Sequence, residues 1–289
     1  MELAALRLDQ IDREISGNKW FKLAHHLHAA QSEGAKGLIS LGGPHSNHLH
    51  ALAAAARRVG LASVGLMRGQ PQQTPTVQGL QAFGMQLHWL GYGGYRERHQ
   101  ADFFATWRDR YPGYYPIPEG GGGLRGALGC APLVVHVQAR LASLGWADHH
   151  GWWLAAGTGT TLAGLVLGEA EQGGRMVYGA LAGPPSHGVA AEVDRLLGEA
   201  GITDANYQLI DACRGGFGRF DRELAAFMAE TEQHGGIELE PVYTAKALIA
   251  LRLYVERGHV AAGTRLVFVH TGGLQGRRAA QPELDKLLR

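Results

Sequence analysis

Lysine is scarce in this chain of 289 residues. Only five of its 27 basic residues are lysine (Lys19, Lys22, Lys36, Lys246 and Lys286), which leaves 22 arginines. Any reaction that needs an amine nucleophile therefore has few candidates. Charge of either sign is also sparse, 18% of residues against roughly 25% in an ordinary globular chain. The 27 basic and 26 acidic residues nearly cancel, giving +1. Such a balance excludes the concentrated basic charge that holds nucleic acid or a membrane surface, and a small-molecule partner is expected instead. Cys130 and Cys213 are too few and too far apart for a disulfide framework. No apolar run is long enough to span a bilayer, and the start MELAALRLDQ lacks the basic and apolar regions of a signal peptide. Reduced thiols and a cytoplasmic location follow as the expectation.

Glycine is abundant: 43 residues, about twice the ~7% background. Hydrophobic residues reach 45%, which excludes disorder and supplies one large or two moderate cores. Short apolar runs at Gly37–Leu41, Ala62–Met67, Gln86–Leu90, Trp152–Ala156, Met176–Leu181 and Leu266–His270 read as strands. Between them lie helix-like stretches. Trp20, Leu23, Leu27 and Ala30 form one apolar stripe, and others run from about Asn47 to Val59, Thr160 to Gln172, Glu192 to Ala200 and Ala245 to Arg257. Alternating strands and helices predict an α/β fold with mostly parallel, doubly wound sheets, in which glycine collects at the strand–loop–helix turns. The Pro- and Gly-rich stretch Tyr111–Gly129 is the natural break between two α/β lobes, with a ligand cleft between them.

Four turns carry candidate chemistry. In Ser16–Leu23 (SGNKWFKL), Asn18 can cap a helix whose first turn presents Lys19 and Lys22 on one face. Two cations at the positive end of a helix suggest an anionic ligand or a lysine of depressed pKa, with Lys22 supplying charge beside Lys19; a solvated basic pair is the simpler alternative. In Leu41–His48 (LGGPHSNH), amides from His45 to His48 can form a carboxylate nest, though Ser46 and Asn47 serve equally as ordinary helix caps. Ala155–Gly164 (AAGTGTTLAG) is neither a Walker A loop nor a dinucleotide fingerprint, since Leu162 stands where a third glycine belongs. It suits the phosphate of a smaller cofactor. Near the C-terminus, Glu240–Lys246 (EPVYTAK) and Phe268–Gly273 (FVHTGG) offer Tyr243 as an acid or hydrogen-bond donor and Thr244 and Thr271 as partners for a ring nitrogen or substrate head group; structural roles are as common for such residues.

A lysine nucleophile, a carboxylate nest, a phosphate cup and neutral ring partners are what pyridoxal 5′-phosphate requires. In order and spacing, GNKxxKL, GGxxSNH, GTGTT, EPVYT and HTGG resemble the 1-aminocyclopropane-1-carboxylate deaminase/D-cysteine desulfhydrase family, pyridoxal-phosphate enzymes of tryptophan-synthase-β-like fold type II. The resemblance runs from about Leu6 to Gly273. It implies two open, twisted, mostly parallel sheets flanked by helices, with the cofactor in the cleft between a large domain (1–36 and 134–289) and a small one (37–133), in a homodimer. It makes Lys19 the Schiff-base lysine and Asn47 the partner of the cofactor's 3′-oxygen. Ser46 and its neighbours match the substrate-carboxylate site, and Gly157, Thr158, Gly159, Thr160 and Thr161 match the phosphate loop. Tyr243 matches the active-site tyrosine. Lys19, Ser46 and Tyr243 are then the catalytic set, and His45, Ser46, Asn47, His48 and Phe217 the substrate wall. Deaminases of the family carry glutamate and leucine where this chain has Thr244 and Thr271, the pair resembling D-cysteine desulfhydrases. A neutral hydroxyl at the pyridine nitrogen supports a weaker electron sink than a carboxylate, enough when thiolate leaves from Cβ.

The chain departs from the family in three further places. His45 and His48 flank Ser46-Asn47, where the family often has glutamine at the first position. Phe217 stands for a second active-site tyrosine, and 18 residues up to GNK's asparagine are fewer than the family's usual lead. Other readings use the same residues. Loss of the hydroxyl at Phe217 allows a catalytically silent cofactor-binding protein, and racemisation or dehydration uses the same four turns. His25, His26, His28, His45, His48 and His50 have spacings that permit a metal site, but no HExxH motif accompanies them, and no metal is expected.

Overall fold

The computed structural model describes the whole chain, Met1–Arg289. Its strands are β1 (Glu2–Arg7), β2 (Gly37–Gly42), β3 (Ala62–Met67), β4 (Gln86–Trp89), β5 (Tyr114–Pro116), β6 (Gly151–Ala156), β7 (Met176–Leu181), β8 (Tyr207–Asp211) and β9 (Arg265–His270). The helices are α1 (Lys19–Ser32), α2 (Asn47–Arg58), α3 (Pro75–Ala82), α4 (Gly91–Arg96), α5 (Ala105–Arg108), α6 (Gly123–Cys130), α7 (Leu133–Gln138), α8 (Thr160–Gln172), α9 (Val189–Glu199), α10 (Arg222–Gly235), α11 (Thr244–Glu256) and α12 (Leu274–Leu288). They build two open sheets, ordered β1-β9-β6-β7-β8 and β4-β3-β2-β5, and every strand pair within them is parallel. No helix is long and apolar enough to cross a membrane.

Alternation along β6 distributes the larger core over two faces. Trp152 joins the cluster of α8 and α9 with Leu162, Val166 and Val193, whereas Trp153 joins Phe268 and the residues of α10 and α11 on the opposite face. Both indoles are fully buried and both N–H groups are met: Trp152 donates to Glu169 Oε1 at 2.6 Å and Trp153 to the Ala247 carbonyl at 2.7 Å. The small sheet is covered by α2 and α3 on one side and by Tyr95, Phe103 and Tyr111 on the other.

Packing moves the lobe boundary away from residue 133. Cys130, Leu133 and Val134 belong to the core of the large sheet, because α6 and α7 lie directly on α8. Glycine permits that approach: a Cβ on Gly164 would sit 2.4 Å from the Ala127 carbonyl oxygen, and one on Gly168 2.5 Å from that of Ala131. Conversely, Leu23 and Ala30 of α1 pack into the core of the small sheet, so this helix straddles the two lobes. By its core the small lobe ends near Ile117, and α1 is shared between the two lobes.

Candidate active site

The turns at the carboxyl ends of both sheets surround one cavity of about 480 Å³. Each side chain is aimed by the element that carries it.

The α1 turn is fixed by its backbone. Gly17 is left-handed (φ 73°), a Cβ there would meet the Thr271 carbonyl oxygen at 2.0 Å, and the Asn18 N–H donates to that same oxygen at 3.1 Å. Asn18 makes none of the expected side-chain cap. Its amide instead spans the cavity wall, donating through Nδ2 to Thr161 Oγ1 (2.8 Å) and accepting from Lys19 Nζ at Oδ1 (3.1 Å). Desolvation brings the Lys19 ammonium down to about 8. The expected help from Lys22 runs the other way. Lys22 is 1% exposed; burial first and the charge of Lys19 second hold its ammonium well below the ordinary lysine value. Its Nζ donates to Thr158 Oγ1 at 3.3 Å, which puts the second lysine of GNKxxKL on the Gly157–Thr161 loop, a contact unread in the sequence.

The nest after β2 is smaller than expected. Ser46 Oγ caps α2 by accepting the Leu49 N–H at 3.1 Å, and the Ser46 N–H is spent on the Gly43 carbonyl, whereas those of Asn47 and His48 have no backbone acceptor. Asn47 Oδ1 accepts from Gln275 Nε2 at 2.6 Å, a positioning contact from α12 that no motif announced. His48 is held in one tautomer. Ser40 Oγ donates its single proton to the Ile117 carbonyl (2.7 Å), so at 2.8 Å it can only accept from His48 Nε2. His48 Nδ1 is thereby a bare acceptor, buried and without a partner, in a side chain on the cavity wall. Burial, then Lys19 and Lys22, keep this imidazole neutral.

The loop from β6 to α8 passes under Tyr243, so close that a Cβ on Gly157 would lie 2.8 Å from its ring. Gly159 caps α8 in the left-handed conformation (φ 78°). Thr158, Gly159 and Thr161 line the cavity; Thr160 is fully buried behind them, in contact through Thr158 Oγ1 at 3.0 Å. The two threonines expected to face the ring diverge. Thr271 lines the cavity, whereas Thr244 is fully buried outside its wall, with Oγ1 accepting the Glu240 N–H at 2.9 Å and donating to the Glu240 carbonyl at 3.2 Å. The reason is Glu240, which the sequence reading left without a role. Its carboxylate accepts the N–H groups of Val242 (2.9 Å), Tyr243 (2.6 Å) and Thr244 (2.6 Å) at the start of α11, turning that helix start inward. Burial pushes the Glu240 carboxyl up to about 7 despite those bonds. Tyr243 lines the cavity with its phenol held protonated by burial. Phe217 packs edge-on against it at 5.8 Å, and His45 is exposed at the mouth of the same cavity. Arg68 and Glu119 complete the rim.

The histidines do not converge. His26 Nε2 meets the Gly122 carbonyl at 3.0 Å, His48 meets Ser40, and His50 packs on Phe83 at 5.1 Å; no three His, Cys, Asp or Glu side chains gather as ligands. What does gather is two desolvated amines, threonine hydroxyls and free helix-start amides around a cleft. This donor set fits a phosphorylated aldehyde cofactor: an anion cradle at Lys22, Thr158 and Thr161, and an amine at Lys19.

Comparison with known proteins agrees. The chain belongs to the pyridoxal-phosphate-dependent enzymes, whose family model matches residues 6–272, and its cofactor is pyridoxal 5′-phosphate. Within them it is a member of the 1-aminocyclopropane-1-carboxylate deaminase/D-cysteine desulfhydrase family. A Pyrococcus horikoshii protein provisionally named as a 1-aminocyclopropane-1-carboxylate deaminase is 30% identical, over 91% of this chain and 81% of its own. A D-cysteine desulfhydrase of Klebsiella pneumoniae is 30% identical, over 98% of this chain and 90% of its own. The crystal structure of an ACC deaminase homologue superposes with a TM-score of 0.85 at 27% identity, covering 99% of this chain and 89% of that one. Threonine deaminase isoform 2 of Solanum lycopersicum (TM-score 0.67, 16% identity, 99% of this chain and 78% of that one) shares the fold.

Proposed function

We propose that the chain is a D-cysteine desulfhydrase-like lyase that converts a small β-substituted amino acid, with water, to pyruvate, ammonia and the β-leaving group, sulfide for D-cysteine. The observation that carries this reading is the contrast between Thr271 and Glu240. The neutral residue Thr271 lines the cavity, while the one buried carboxylate nearby already accepts three backbone N–H groups. That environment suits departure of a good leaving group more than the harder opening of a carbon ring.

When bound, pyridoxal 5′-phosphate supplies an aldehyde for the substrate nitrogen and a ring that accepts electron density from Cα. Lys19 would hold the aldehyde, Lys22, Thr158 and Thr161 the phosphate, and Asn47, steadied by Gln275, the 3′-oxygen. Lys19 Nζ, with a value of about 8, has a neutral fraction near pH 7 and takes the proton from the substrate Cα. The free amides of Asn47 and His48, with the Ser46 hydroxyl, orient the substrate carboxylate. Tyr243 keeps its proton for donation, with Phe217 packed edge-on against its ring.

A second reading, ring-opening deamination of 1-aminocyclopropane-1-carboxylate, is favoured by the name of the Pyrococcus relative. One assay separates the two: pyruvate and 2-oxobutyrate release from D-cysteine, L-cysteine, D-serine and 1-aminocyclopropane-1-carboxylate. Pyruvate from D-cysteine is expected. Faster 2-oxobutyrate release from the cyclopropane overturns the reading, and the cofactor spectrum without either product makes the chain a silent binder. A cytoplasmic homodimer, acting on free amino acid without nucleic acid or membrane, completes the proposal. Light scattering on a chain of 31.0 kDa tests the dimer.

A further inference from the structure

Lys246 is the one motif lysine with no place in that reaction. It lies three residues after Tyr243 on α11, and its side chain is fully buried. No carboxylate stands within ion-pairing distance. Instead Nζ donates to three backbone carbonyls: Cys213 at 2.7 Å, Gly216 at 2.8 Å and Ala182 at 3.3 Å. An ammonium has three protons, and each here has an acceptor. A desolvated cation persists in a protein interior only when its donors are met in this way.

The acceptors belong to two separate segments, the exit of β7 (Ala182) and the loop that follows β8 (Cys213 and Gly216). That loop is held at its base by side chains, the Cys213 N–H on Asp211 Oδ1 at 2.9 Å and the Arg214 guanidinium on Asp221 and Glu223 at 2.7 Å, but the stretch that carries Phe217 has few bonds of its own. Arg214 (φ 49°) is the only non-glycine residue in the left-handed region, Gly215, Gly216 and Gly218 also have positive φ, and two long backbone bonds of 3.3 Å close it. Yet the loop delivers Phe217 and Gly218 to the cavity wall, with Phe217 edge-on to Tyr243. The lysine one turn below Tyr243 therefore ties the far wall of the cavity to the helix carrying the tyrosine.

We propose that Lys246 is a covalently tethered monovalent cation: its ammonium fills a carbonyl cage, positions the Phe217 loop against Tyr243, and leaves a site for potassium or ammonium when the charge is removed. Potassium and ammonium are alike in charge and size, and backbone carbonyls satisfy either in place of water. Lys246 is a positioning residue; it acts through the loop.

The test is tryptic cleavage after Arg214 and Arg219, which flank Phe217, on the cofactor-loaded wild type and Lys246→Met. In choline chloride the variant should be cut at least about tenfold faster, reflecting local opening of the released loop. The same concentration of potassium or ammonium chloride should restore most of the protection in the variant and leave the wild type unchanged. Cleavage at the wild-type rate overturns the proposal, and so does faster cleavage that potassium and ammonium fail to slow, since general destabilisation gives no such rescue. Should Lys246→Met not fold, Lys246→Gln, whose amide keeps two N–H donors, is read in the same way. A kinetic arm rests on the lyase reading: Lys246→Met should raise KM for the amino acid more than it lowers kcat, with the same cation rescue. The protease arm needs no substrate, so loss of that reading and loss of this one are distinguishable.

Discussion

Two helix starts stand at the cavity; α1 brings two desolvated lysines and α11 brings one. At α1, Lys19 Nζ has one acceptor, the Asn18 amide oxygen, and Lys22 Nζ one, the Thr158 hydroxyl. At α11, Lys246 Nζ has three carbonyls. Burial lowers all three ammonium groups, so lowered basicity does not tell a reactive amine from a structural one. Unmet donor capacity does. An amine with N–H groups to spare in a dry cleft is ready for a ligand, and one whose every proton is spoken for is a strut. The carboxylate side mirrors this: Glu240 stands on the cavity wall, but three backbone N–H groups occupy it.

The sharpest way to break the comparison is to remove Lys19. Lys19→Ala should abolish the yellow absorbance and the borohydride-fixed adduct and cut turnover by on the order of 10³-fold or more. An adduct fixed at Lys22 or Lys246 in that variant would overturn the division of roles. Next is the backbone that aims α1. Gly17→Ala places a Cβ against the Thr271 carbonyl at a left-handed residue and should cost about 3 kcal/mol in urea unfolding; an unchanged midpoint would show that the turn yields. Lys22→Met should weaken cofactor binding about 10- to 100-fold, as loss of a charged hydrogen bond does, and leave the absorbance of the saturated protein in place; titration with pyridoxal phosphate reads it. The smallest effect is in pH. Lys19 titrates near 8 when folded and near 10.5 when unfolded, so between those values the unfolded chain holds more protons. Stability of the cofactor-free wild type relative to Lys19→Met should therefore rise from about pH 8 to 10.5. A flat difference in Tm across that range would mean that Lys19 is solvated.

The sequence made the interior of the fold legible and its margins obscure. The strands anticipated from apolar runs include every central one, β2, β3, β6, β7 and β9, which helices cover on both faces. The three unread strands, β1, β5 and β8, are all edges. Tyr207–Asp211 has no fully buried residue, and Tyr114–Pro116 ends in a proline that only an edge tolerates, so it read as part of a linker. The site divides in the same manner. Motif residues on strand–helix turns met as expected, because the parallel sheets bring those turns to one end. Gln275 and the partner of Lys22 were set by contacts between segments distant in the chain, which spacing along one segment does not encode, whereas Glu240 and Thr244 bond each other across a single turn that the spacing left open to several roles. The Gly157–Thr161 loop and the lysine turn meet through Asn18 and Thr161, 143 positions apart.

The pairing of β1 with β9 orders events in the making of the protein. Glu2–Arg7 aligns residue for residue with Arg265–His270, and the carbonyl that seats Asn18 belongs to Thr271. On a ribosome the N-terminal segment emerges first, but its neighbour in the sheet is among the last residues to appear. Until then Lys19 hangs on a turn without its anchor, and the growing chain has amine but no pocket. The cavity is thus completed only at the end of synthesis, when the chain that carries Thr271 to Gly273 joins the turn that carries Lys19.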